Sequence, residues 1–144
     1  MFQSLSKRAF LKTQTAVFIK FRSLQTRTRM TDPTPQNIPV WDIDNSNPDF
    51  VPALEDNLAE IVDPELGLNI LQLGLVRNIE LKPDHAVVTM ILTTPFCPYG
   101  PSMMETTRKR VEKVLEIPTK INYGHETWDP TMMEEGLADD WGLF

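Results

Sequence analysis

The chain holds a single cysteine, Cys97, in 144 residues, so no intrachain disulfide can form, and the fold is expected to stand in a reducing compartment. Glycine is scarce, with 6 residues. No glycine-rich loop that could cradle a phosphate is found, and neither G-x-S-x-G nor H-E-x-x-H occurs. The two histidines, His85 and His125, are 40 positions apart and offer no paired metal-ligand spacing. No apolar run approaches the roughly 20 residues that span a bilayer. These absences argue against a nucleotide-binding enzyme, a zinc hydrolase and a membrane-spanning protein, and no enzymatic activity is expected.

Acidic residues are missing from one end. Residues 1–31 carry seven basic side chains (Lys7, Arg8, Lys12, Lys20, Arg22, Arg27, Arg29) and no acid. All 20 acidic residues and the remaining 7 of the 14 basic ones fall in residues 32–144, leaving that body at −13. An acidic body repels a phosphate backbone, which argues against nucleic acid as a partner. Residues 1–31 read as a basic N-terminal extension. It is either a transit-like segment, Arg-, Ser- and Thr-rich with scattered Phe and Leu, or an over-extended start ahead of Met30. A cytoplasmic location is expected, with organelle import if the extension is genuine.

Residues 32–49 read as a proline-rich linker with Pro33, Pro35, Pro39 and Pro48. The domain is then expected over 50–144. Val51, Leu54, Leu58 and Ile61 form one helical stripe, which predicts a helix over Phe50–Val62 with Asp49 as N-cap and Asp63-Pro64 as its stop. A loop leads to a strand at Leu75–Leu81, a turn at Lys82–His85 and a second strand at Ala86–Thr94. That second strand has two apolar faces and is expected to be central. A long helix follows Pro101, with Met103, Thr107, Val111 and Val114 on one face, and Pro118 ends it. A third strand is expected at Thr119–Glu126, then a short C-terminal helical piece. The order α-β-β-α-β predicts an α+β fold: a two-layer α/β sandwich on a three-stranded mixed sheet.

The loop Thr93-Thr94-Pro95-Phe96-Cys97-Pro98-Tyr99-Gly100-Pro101 carries the most chemistry. It sets Cys97 just before a helix, where the positive end of the dipole favours a thiolate. A thiolate is both a nucleophile and a soft-metal ligand. Taken alone, a lone cysteine is as readily a small buried hydrophobe. One thiolate cannot hold an iron–sulfur cluster, which takes about four ligands. Any such site would be shared between subunits, completed by a partner or transient. Asp63 and Glu65 flank Pro64 and offer oxygen ligands; equally, they form a helix stop with a solvated Glu. The pairs Met103-Met104 and Met132-Met133 suit core filling.

Four segments in order resemble one family, the SufT/PaaD-type iron–sulfur cluster assembly domain. They are Asp63-Pro64-Glu65, Leu73-Gly74-Leu75-Val76, Thr93-Thr94-Pro95-Phe96-Cys97-Pro98 and Trp128-Asp129-Pro130-Thr131-Met132-Met133, covering about residues 50–140. The resemblance implies a factor for cluster assembly or iron–sulfur protein maturation, acting with assembly proteins and client apoproteins and handling at most a transient cluster. It implies Cys97 as the leading ligand, with Thr93, Thr94, Asp63 and Glu65 grouped around it at the surface or in a shallow pocket. Homodimerisation stays open. Two alternatives accompany this reading: an accessory maturation subunit of a multicomponent oxygenase, and a plain interaction module with a structural cysteine. One position departs from the family pattern. Gln72 stands where an Asp is usual before Leu-Gly, and an amide supplies no anionic ligand.

Overall fold

A computed structural model of the chain describes residues 38–140. The basic extension at 1–31, the start of the expected linker and the last residues of the tail lie outside the described residues.

The folded part begins earlier than Phe50. Residues Asp42–Ser46 form a short helix, α1, inside the stretch expected to be linker. The backbone N–H of Trp41 donates to Asp44 Oδ2 at 2.7 Å, and Asp42 and Asp44 place negative charge at the helix start. Five residues cannot sustain a helix by propensity. Tertiary contact holds it: Ile43 is fully buried, Trp41 is nearly so, and the Trp41 indole N–H donates to the Val76 carbonyl at 3.3 Å. The linker expectation is therefore corrected over residues 41–49. Proline marked the segment's punctuation and could not reveal a contact made 35 residues away.

A 3₁₀ turn at Pro48–Phe50 leads into α2, Val51–Leu58. Asp49 makes no capping bond, and Pro52 takes the first turn as expected. Leu54 and Leu58 are fully buried and Ile61 nearly so, which confirms the stripe. The helix stops four residues before the expected Val62. There the chain reverses: Ile70 N–H donates to the Ile61 carbonyl at 3.0 Å and Asp63 N–H to the Leu68 carbonyl at 2.9 Å, around a bridge between Val62 and Asn69.

The sheet has the order β1-β2-β3, with β1 at Val76–Leu81, β2 at Ala86–Met90 and β3 at Thr119–Tyr123. Strand β2 is central, as its two apolar faces required. It pairs antiparallel with β1 through the Lys82–His85 turn and parallel with β3. The pairing shifts between Val76 and Asn78, so Arg77 is the extra residue of a bulge. Strand β2 ends four residues short of Thr94, and β3 three short of Glu126, where Gly124 N–H closes on the Met90 carbonyl.

The parallel connection is the helix α3, Gly100–Leu115. Its buried face is Gly100, Met103, Thr107, Val111 and Leu115; the expected Val114 is only half-buried. The Thr107 hydroxyl donates to the Met103 carbonyl at 2.8 Å, which satisfies it inside the core. Glu116 ends the helix in the left-handed region at φ 55°, two residues before Pro118. A 3₁₀ turn at Pro130–Met132 and a four-residue helix, α4 (Leu137–Asp140), complete the described chain.

Candidate functional site

One groove lies between the segment after α2 and the start of α3; of the motif residues only Pro64 lines it, and Tyr99 follows directly on the cysteine motif. Its volume is about 310 Å³. One wall is Ile61, Val62 and Pro64, from the reversal after α2; the other is Tyr99, Ser102 and Met103, from the start of α3. Ile61 and Met103 are buried at its floor, while Val62 and Tyr99 stand about half exposed at its rim. A larger depression, about 450 Å³, lies at the far end of α3 between Lys109, Lys113 and Pro118, and no motif residue lines it.

The cysteine loop fills the step from β2 to α3. Cys97 N–H donates to the Thr94 carbonyl at 3.3 Å, and Gly100 N–H to the Cys97 carbonyl at 3.0 Å. Gly100 lets the helix start against the core, since a Cβ there would lie 2.5 Å from Leu92 Cδ1. The loop's side chains part sharply. Phe96 is 92% exposed and Cys97 only 6%. Cys97 does precede a helix, as expected, but its expected surface position is corrected. The tight turn swings Phe96 outward and Cys97 inward, where the thiol packs as a small hydrophobe in the core.

Asp63 is fully buried. Its Oδ1 accepts the Glu65 backbone N–H at 2.8 Å, and its carbonyl accepts from Gly67 N–H at 2.8 Å, forming a compact Asx-type turn. Its Oδ2 is buried without a hydrogen-bond partner among the described residues. A carboxylate oxygen in that state is costly and calls for a donor. Glu65 and Thr94 are exposed and Thr93 is half-buried. The structure thus sets Asp63 and Cys97 inside, and Glu65 and Thr94 on the surface. Among the described residues, no group of three or more His, Cys, Asp or Glu side chains could hold a metal ion.

The departure at Gln72 has a structural explanation. Gln72 Oε1 accepts the Asn69 N–H at 3.0 Å, and Asn69 Oδ1 accepts the Gln72 N–H at 2.8 Å. This reciprocal pair works as a capping box and locks the turn that leads to Gly74. The two remaining motifs meet there. Gly74 adopts φ +68°, and a Cβ on it would lie 2.1 Å from the Met132 carbonyl oxygen. Trp128 Nε1 donates to the Leu73 carbonyl at 2.7 Å, and Glu134 N–H to the Gln72 carbonyl at 2.8 Å. Met132 and Met133 are buried as core filler. Asp129 accepts from the Thr131 hydroxyl and backbone N–H, which lowers its pKa and shapes the 3₁₀ turn. These motifs build structure beside the site and do not line the groove.

Sequence reasoning did not find the rim residues Val62, Tyr99 and Ser102. The only signal for them was adjacency to Asp63 and Cys97. His85 lies in its turn as expected, paired with Asp84 at 2.6 Å, and His125 is exposed.

A family model described as iron–sulfur cluster assembly protein matches residues 53–121. The chain is 35% identical over 91 residues to an Fe-S protein maturation auxiliary factor, YitW, of Bacillus subtilis; the match covers 60% of this chain and 87% of that protein. It is 33% identical over 80 residues to the Fe-S protein maturation auxiliary factor SufT of Staphylococcus aureus, covering 54% of this chain and 88% of that one. A crystal structure of a DUF59 domain from Bacillus anthracis superposes with a TM-score of 0.59 at 28% identity, over 69% of this chain and 98% of that one.

Proposed function

We take as premise that the chain belongs to the SufT-type family of iron–sulfur cluster assembly proteins, and we propose that it serves as an accessory factor that docks assembly proteins or client apoproteins at the groove and lends them the Cys97 thiolate. The observation that carries this reading is a groove beside two distant motifs, in which Pro64 and its neighbours Ile61 and Val62 face Tyr99, Ser102 and Met103, the residues that follow the cysteine motif.

In this reading the cluster is cargo. One thiolate supplies about a quarter of the ligands a cluster takes, so the partner brings the rest. Phe96 and Tyr99 offer the exposed aromatic contact that suits a partner. Docking there moves the loop that carries Cys97, and loop movement is what a thiol 6% exposed needs before it can ligate. Such a protein acts by binding and transfer, not by turning over a metabolite, in the reducing compartment that a lone free thiol suits.

The burial of Cys97 favours a second reading, an interaction module whose cysteine is structural. One experiment separates the two. Cys97→Ser is expressed in a strain lacking the native protein, iron–sulfur enzyme activity is assayed, and the purified variant is melted. The proposal expects lost activity from a variant that still folds, because serine is a poor soft-metal ligand; the hydroxyl it buries in the core costs about 1–3 kcal/mol and lowers the melting temperature accordingly. Full activity from the folded variant would establish the structural cysteine. In parallel, thiol labelling of the wild type is expected to be slow alone and faster with a docked partner; labelling unaffected by any partner counts against loop opening.

A further inference from the structure

The two edges of the sheet are treated differently, and we infer that β3 is an edge through which two copies of this chain pair. On the β1 side, residues 41–46 lie along the strand. Trp41 reaches the Val76 carbonyl, Asp42 N–H donates to Asn78 Oδ1 at 2.8 Å, and Asn78 Nδ2 returns a bond to Asp42 Oδ2 at 2.7 Å. Strand β3 has β2 on one side and, among the described residues, no strand on the other.

The parallel register says which groups are left over. Ala86 N–H donates to the Pro118 carbonyl and Gly124 N–H to the Met90 carbonyl, so Lys120 and Asn122 turn their backbone groups toward β2. Thr119, Ile121 and Tyr123 turn theirs outward. Thr119 N–H is taken by Glu112 Oε2 at 3.2 Å. The N–H and C=O of Ile121 and Tyr123 have no partner among the described residues. An open edge is ordinarily guarded by proline, a bulge or several charges. Thr119–Tyr123 has no proline, runs in unbroken register with β2 and carries one charge, Lys120.

The groups of an open edge are complemented by another extended strand, and β3 complements itself. Antiparallel pairing about a two-fold axis at Ile121 sets Ile121 against Ile121, Thr119 against Tyr123 and Lys120 against Asn122. No like charges face each other, and most of the strand is β-branched or aromatic. Pairing consumes both open edges, so assembly closes at two. Five-residue edges bury far less than the roughly 1,000 Å² of a stable interface, so the dimer is weak. The net charge of −6 opposes it, so added salt strengthens it.

The test is sedimentation equilibrium of the full chain over a concentration series at low salt and at about 1 M, where screening is nearly complete. Backbone amide exchange is measured on the same samples. The weight-average mass is expected to rise toward twice the monomer, more so at high salt. The amides of Ile121 and Tyr123 are expected to slow with concentration while that of Val88 is unchanged. Ile121→Pro removes an outward N–H without touching the β2 ladder and is expected to abolish the rise; should it fail to fold, the wild-type exchange series decides alone. A mass fixed at the monomer overturns the inference, as does dimerisation that leaves the Ile121 and Tyr123 amides unprotected.

Discussion

Gly74→Ala tests the junction between the loop before β1 and the C-terminal segment. Two costs are separable. An alanine at φ +68° pays the left-handed penalty, roughly 1–2 kcal/mol. Its Cβ also lies 2.1 Å from the Met132 carbonyl oxygen and 2.9 Å from its carbon, so backbone must move. That movement puts at risk the Trp128–Leu73 and Glu134–Gln72 hydrogen bonds, each worth about 1 kcal/mol, together with the packing of Met132. The total is roughly 3–5 kcal/mol. Gly67→Ala is the control, because Gly67 has φ +71° and nothing within 4 Å of its Cβ position. It bears the first cost alone. The gain from restricting the unfolded chain is common to both and cancels. At roughly 4–8 °C per kcal/mol for a domain of this size, Gly74→Ala lowers the melting temperature by at least about 12 °C and Gly67→Ala by about 4–16 °C. Urea titration by far-UV circular dichroism gives the free energies directly, and the expected gap between the two variants is at least about 2 kcal/mol, the worth of the two hydrogen bonds. Equal losses would show that the Met132 carbonyl is not held against Gly74.

Ile43→Ala is expected to cost about 2–5 kcal/mol, as for any fully buried isoleucine; a loss within about 0.5 kcal/mol, the surface value, would return the segment to linker. A chain starting at Met30 is expected to melt within about 4 °C of the full chain, roughly the shift for 1 kcal/mol, and a much larger drop would show that residues 1–29 add to stability. Glu105, hydrogen-bonded by Arg108, has its pKa held down to about 2 from an ordinary 4.5. A lowered folded value means that its contribution is present above pH 4.5 and fades as pH falls toward about 2. The contribution is small because the pair is exposed; carboxyl titration by NMR checks it, and an ordinary midpoint would remove the Arg108 contact.

Elements with a period were legible. Strand β2 and helix α3 showed themselves through alternation and through Met103, Thr107 and Val111, because local geometry fixes which side chains share a face. Helix α1 has no period of its own and exists because Trp41 and Ile43 find the core. Strand ends were overestimated because apolar residues continue past Met90 into the loop, where Ile91 and Leu92 are buried without belonging to a strand. At the site, the sequence named the right loops but not the side-chain directions. Nothing in Phe96-Cys97 tells which one turns inward. That is decided by the turn from Thr94 to Gly100.

The clamp between Gly74 and Met132 also sets a schedule for synthesis. Glu134 follows Gly74 by 60 positions, so at roughly 5–20 residues per second the ribosome needs about 3–12 s to supply the segment that covers Leu73. Until then the Gln72 and Leu73 carbonyls and Gly74 lack their C-terminal partners. Pro64, in one wall of the groove, belongs to the loop running from Asp63 to Leu75, so the ribosome makes this wall well before the segment that clamps the loop.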